Sequence, residues 1–473
     1  MLFNTLDFAV FITVIHCLFV LSPDGWKKYV LLAASLFFYG YFDPRILALL
    51  VLTTAAVYGA AIGIERSVSA RSRRFFLFLA VAGCLAFLSF FKYFDFFSQS
   101  LNRLSEISGL SIKSPVLHLI LPAGISFYTF QLISYCVDVE RRICPAEKSF
   151  PDLLLFVTYF PKLVAGPIER ANRLLPLLKS PRQAMGEEMH SALWLIFWGI
   201  FKKVFIADNL TPIVNAALVP GASLPFPTVS FAAVLFAIQI YADFSGYTDT
   251  ARGISRLFGI ELVLNFNIPF LSSNPAEFWR RWHITVGAFF RDYIYIPLGG
   301  SRISIWRQNI NIMIVWLLGG LWHGASVGFF VWGIYCGACI IAYNLLRPFL
   351  ESFSRRSVFA DRMTLYGGRI LTFLLFSHGL LLFRVDSIAH LRDISLQLLH
   401  TSGQSWIHVS IVLQALVFVW PLILVQTAQA LSGHLEIFPA LPRFFRYCAI
   451  LMGTLLFFVL GSYHSDRFFY FQF

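Results

Sequence analysis

Residues 308–346 contain no Asp, Glu, Lys or Arg. At ~1.5 Å per residue this uncharged stretch outruns a single crossing of a ~30 Å hydrocarbon core. Gly319, Gly320 and Gly324 sit in its middle and can break or turn it. A surface facing water has no use for such a segment. The remainder of the chain agrees, because 13% of its residues are charged where a soluble domain carries about 25%. Lipid cannot satisfy exposed backbone groups, so the chain is expected to be an all-α polytopic membrane protein. One membrane-embedded domain, 1–473, is expected to fill the length.

Further apolar runs lie near 8–22, 29–42, 46–64, 75–91, 116–136, 150–160, 192–206, 229–242, 370–383, 408–430 and 447–463. Several are shorter than the ~20 residues of a straight spanning helix, which suggests re-entrant pieces or a locally thin bilayer. The net charge of +12 is scattered over short loops, the positive-inside pattern, so a nucleic-acid partner is not expected. Lys27, Lys28, Arg66, Arg71, Arg73 and Arg74 place the first loops in the cytoplasm and Met1 outside it. Arg443 and Arg446 before the last run favour an extracytoplasmic C-terminus. The seven cysteines sit mostly in apolar runs, and Cys336 and Cys339 lack nearby histidines in sequence, so no metal site is expected. No Walker loop or HExxH pattern occurs.

An ionisable group inside a membrane protein costs several kcal/mol unless it meets protein or water, and so marks a candidate site. His323 is the one imidazole in the uncharged stretch, flanked by small residues. It reads either as a general base in a dry tunnel or as a hydrogen-bonded core histidine. Residues 267–302 are punctuated by Pro269, Pro275 and Pro297 and cannot form one spanning helix. Asn274 is placed to cap a helix beginning at Pro275, with Glu277 at the capping-box position and His283 expected within that helix. Arg280, Arg281 and Arg291 there can bind phosphates or anchor an interfacial helix. In the third place, Tyr241, Ser245, Thr248 and Arg252 fall on one helix face, and Asp249 reaches Arg252 at i+3. With Asp243 and Tyr247, these groups either line a polar tunnel or tie helices together.

Taken in order, six segments resemble the bacterial alginate O-acetylase branch of the membrane-bound O-acyltransferases. They are Pro122–Gln131, Phe160–Ile168, Tyr241–Tyr247, Phe278–His283, Arg291–Gly300 and Gly320–Gly324. The resemblance implies a ring of tilted helices around a transmembrane tunnel, with His323 as the catalytic residue and His283 as its histidine partner. Asp243, Ser245, Tyr247 and Trp322 become candidates for the tunnel wall. The ending Phe468-x-Tyr470-x-x-Phe473 resembles the FxYxxF tail of this branch, which implies Tyr470 as an acyl acceptor; read without the resemblance, it is an interfacial aromatic anchor.

The chemistry so implied moves an acetyl group from cytoplasmic acetyl-CoA, a co-substrate rather than a bound cofactor, through a plasma (inner) membrane. The phosphates would meet Arg280, Arg281, Arg291, Lys202 and Lys203. An extracytoplasmic esterase-like (SGNH) partner would pass the group to a polysaccharide. D-alanyl transfer from a carrier-protein thioester to teichoic acid fits the same motifs. A transporter or flippase also uses broken helices and midplane polar groups, but inverted repeats are not found.

Overall fold

The computed structural model describes residues 1–109, 113–218, 224–399 and 407–462. Among these residues every regular element is a helix. Eight helices are long and apolar enough to cross a membrane: Pro44–Arg66, Ala70–Ile107, Glu187–Ala217, Phe226–Leu257, Val327–Ser354, Val358–Arg384, Val409–Ser432 and Arg443–Leu460. The chain is a polytopic all-α membrane protein. Their burial divides them: 78% of the apolar window of Phe226–Leu257 is covered by protein and none of that of Arg443–Leu460. The first is a core helix, and the second presents its apolar side chains to lipid. The tail at 468–473, with Tyr470, lies outside the described residues.

The chain packs as two compact units, Met1–Ala192 with Ala251–Val263, and Leu193–Thr250 with Leu264–Phe473. In the first, Asp43 caps the Pro44–Arg66 helix by accepting from the Arg45 backbone N–H at 2.8 Å. Phe11, Phe38 and Phe160 form an aromatic core with ring centroids 5.3–5.9 Å apart. The run expected over 116–136 is helical only from Ile125. Before it, the Asp95 carboxylate accepts the backbone N–H groups of Leu117 and Leu119, each at 2.8 Å. Donors satisfied in this way need no helix.

The polar core of this unit is built on Glu169, which is fully buried. It accepts from Arg173 Nη1 at 2.9 Å and from the Val263 backbone N–H at 2.6 Å. Glu261 takes Arg252 at 2.8 Å and Arg256 at 2.7 Å. Arg252 thus pairs with Glu261, and Asp249 binds Lys202 at 2.6 Å.

In the second unit the uncharged stretch is broken as its glycines suggest. The Ile305–His323 helix ends at Gly324, which adopts an extended conformation, and the Val327–Ser354 helix returns alongside. The two pack at contact distance because Gly320 lies against the Phe329 carbonyl and Gly333 against the Trp316 carbonyl. Any side chain at either position would push into backbone, so small residues set this crossing.

Candidate functional site

His323 is the last residue of the Ile305–His323 helix. It is held in an aromatic box whose ring centroids lie 4.7 Å (Trp322), 4.9 Å (Phe383), 5.1 Å (Trp332) and 5.9 Å (Phe329) away. The box is not closed. His323 remains partly exposed and lines a cavity of about 600 Å³ within the second unit. That volume lies within the ~300–1,000 Å³ range of small-molecule sites. It is neither a tightly packed core histidine nor a surface residue.

His283 lines the same cavity. It does not lie inside the Pro275–Arg281 helix, as its spacing suggested, because that helix stops at Arg281. Asn274 caps it as expected, accepting from the Glu277 N–H at 2.8 Å, but Glu277 reaches back one residue further than a capping box, to the N–H of Ser273. His283 instead adopts left-handed φ 46°, ψ 51° between this helix and Ile284–Phe290. The conformation is uncommon outside glycine, costs of order 1–3 kcal/mol and gathers at functional sites. Two backbone hydrogen bonds clamp it on either side, Asn267 N–H to the Arg281 carbonyl at 2.9 Å and Ile284 N–H to the Asn265 carbonyl at 3.0 Å.

The two flanking helices have seven residues each, too few to cross a bilayer. The His283 ring is buried, with Phe244 edge-on at 4.7 Å and Trp322 at 5.9 Å. Burial lowers its pKa, since desolvation opposes the charged form, so the imidazole is neutral at physiological pH.

The cavity wall also carries Arg280, Arg291, Tyr295, Gln308 and Asn344. Arg291–Tyr295 is a π-helical turn, a departure often found at functional sites. Arg280 and Arg291 are exposed at the wall. Arg291 pairs with the adjacent Asp292 at 2.8 Å, whereas Arg280 makes no ion pair among the described residues. The Asn311 side chain, donating to the Leu298 carbonyl at 3.0 Å, ties this segment to the helix that carries His323.

The other sequence candidates lie elsewhere. Arg281 is held by Glu277 at 2.7 Å and is not on the cavity wall. Lys202 and Lys203 are buried in a second π-helical turn, Lys202–Ala207. Lys202 donates to Ser245 at 2.9 Å and pairs with Asp249; Lys203 pairs with Asp208 and Asp243, both at 2.8 Å. Their charges are matched within the protein, and neither lysine is on the wall of the cavity that holds the two histidines. Asp243, Ser245 and Tyr247 are buried beside them and are not on the cavity wall, while Trp322 is. Sequence reasoning missed Asn265, the aromatic box and the polar wall residues Gln308 and Asn344. The last two stand within an uncharged run, and that was a usable signal.

The sequence matches the family model of the membrane-bound O-acyltransferases (MBOAT) over residues 141–383, more than half of the chain. It is 36% identical to a probable alginate O-acetylase, AlgI, of Azotobacter vinelandii, over 70% of this chain and 66% of that protein. It is 34% identical to a peptidoglycan O-acetyltransferase of Helicobacter pylori, over 68% of this chain and 65% of that one. The match spans slightly less than two thirds of the length of each. A more distant relative is a teichoic acid D-alanyltransferase of Bacillus subtilis, 27% identical over 56% of this chain and 69% of its own. The matched region holds both histidines, the aromatic box and the whole broken segment between Pro269 and Pro297, and the chain belongs to the membrane-bound O-acyltransferase family.

Proposed function

We propose that this protein is an O-acyltransferase that takes an acetyl group from acetyl-CoA on the cytoplasmic side and delivers it for O-acetylation of a glycan outside the plasma membrane. The observation that carries this reading is the placement of His283 and His323 on the wall of one cavity large enough for a small substrate.

The chemistry is simple to balance. His323 removes the proton of an acceptor hydroxyl, the oxygen attacks the thioester carbonyl carbon, and the C–S bond breaks to release CoA, whose sulfur takes the proton. General-base assistance of this kind is worth ~10²–10⁴ in rate. Arg280, with Arg291 on the same cavity wall, is suited to hold the phosphates of CoA. His283 is neutral and supplies a second imidazole to the same space.

Delivery across the membrane calls for a further carrier. Tyr470 is the proposed first acceptor, passing the acetyl group to an esterase-like (SGNH) partner outside the cell and thence to the polysaccharide. In this reading both termini are extracytoplasmic.

Similarity to the D-alanyltransferase supports a second donor, a D-alanyl thioester on a carrier protein. Radiolabelled acetyl-CoA and a labelled D-alanyl carrier, offered separately to the purified protein, decide between them. Covalent label from acetyl-CoA alone supports the proposal, and label from the carrier alone replaces it with the second reading. Passage of intact substrate without covalent label would mark a transporter and end both.

A further inference from the structure

We infer that Asn265 is a positioning residue that fixes which nitrogen of His283 carries the hydrogen and which keeps the lone pair. The inference rests on the reading that His283 belongs to the transfer site.

Asn265 is 1% exposed, and its side-chain oxygen collects three partners. The backbone N–H of Thr285 lies at 3.2 Å, the Thr285 hydroxyl at 3.0 Å and His283 Nδ1 at 3.2 Å. A backbone N–H only donates, which identifies the Asn265 atom as the carbonyl oxygen rather than the amide nitrogen. An oxygen of that kind only accepts. His283 Nδ1 must therefore carry its hydrogen, and in the neutral ring Nε2 is left with the lone pair.

The backbone of Asn265 works to the same end. Its carbonyl accepts the Ile284 N–H at 3.0 Å, so one residue grips the position after His283 by main chain and the ring of His283 by side chain. His283 lines the cavity, and the Asn265 contact restrains its ring from rotating. A ring that spins half a turn presents a C–H, and one that carries its hydrogen on Nε2 presents a donor, in place of the acceptor lone pair. No sequence motif joins positions 265 and 283; the pairing exists only in the fold.

The test compares Asn265→Leu, which matches the volume without an acceptor, with Asn265→Asp, which keeps an acceptor oxygen at the same place. Acetyl transfer from acetyl-CoA is measured with purified protein, together with Tm. For Asn265→Leu the expected result is a kcat about 20-fold or more below wild type with donor KM within about twofold. Asn265→Asp recovers kcat to within about fivefold of wild type; Tm falls in both, because leucine strands buried donors and aspartate buries a charge, so kcat is compared per folded protein. Combining Asn265→Leu with His283→Ala gives a protein no slower than His283→Ala alone, because the asparagine acts only through that ring. Should the leucine variant not accumulate, Asn265→Ala makes the same comparison with a smaller side chain that also cannot accept. The inference is overturned by a non-accepting variant within about threefold of wild-type kcat, by an aspartate variant as slow as the leucine one, or by independent losses that multiply in the double variant. A wild-type protein that transfers no acetyl group defeats the acetyltransferase reading itself, a result separate from these.

Discussion

The indole of Trp322 lies edge-on to the ring of His283, 5.9 Å between centroids. Its sequence neighbour His323 is 4.7 Å from the same indole. One aromatic plate thus stands against both imidazoles of the cavity and sets their spacing. Trp322→Leu is expected to cut kcat by about 10²-fold, the typical result of displacing catalytic groups by an ångström. Trp322→Phe keeps an aromatic plate and should recover much of the rate. Steady-state assays of both variants measure this.

The crossing at Gly320 and Gly333 carries His323 to its place. A Cβ at Gly320 would meet the Phe329 carbonyl, which belongs to the backbone and cannot swing aside. Gly320→Leu should part the two helices and remove activity while the protein still inserts in membranes. The same substitution at Gly319, where a Cβ meets nothing within 4 Å, should leave the fold intact. Thermal unfolding in detergent compares the pair.

Arg280 and Arg281 are adjacent but should behave differently. Arg280→Ala is expected to raise the KM for acetyl-CoA about tenfold, the loss of one charge-assisted contact worth ~1.5 kcal/mol, with kcat little changed. Arg281→Ala, which breaks the pair with Glu277, should leave that KM alone.

Lys203 is predicted to matter to the fold and not to donor binding. Its side chain and those of Asp208 and Asp243 are each 4% exposed. Lys203→Met leaves two buried carboxylates without their cation, and removing one partner of a buried ion pair costs about 3–5 kcal/mol. The expected outcome is a lower Tm with unchanged KM in whatever protein remains folded.

Much of this organisation was legible from charge alone. Absence of charge over 308–346 announced lipid or a dry core, its glycines announced the break at Gly324, and His323 stood out as the titratable side chain within it. The cap at Asn274 followed from local chemistry. What the sequence hid was long-range pairing. Lys202 and Lys203 look like free cations because their carboxylates come from other turns and another helix. His283 looks helical because its left-handed turn is imposed by Asn265 and Asn267, which precede the helix altogether. The box around His323 joins Trp322 to Phe329, Trp332 and Phe383, and in an apolar chain with 52 phenylalanines nothing marks those rings beforehand.

The account depends on His323 acting as a base at the cavity wall. Purified wild-type and His323→Ala proteins, matched for amount and Tm, are to be compared for acetyl transfer from acetyl-CoA. The predicted result is a fall of about 10²–10⁴ in kcat with unfolding unchanged. A variant that transfers acetyl within about threefold of the wild-type rate would contradict it.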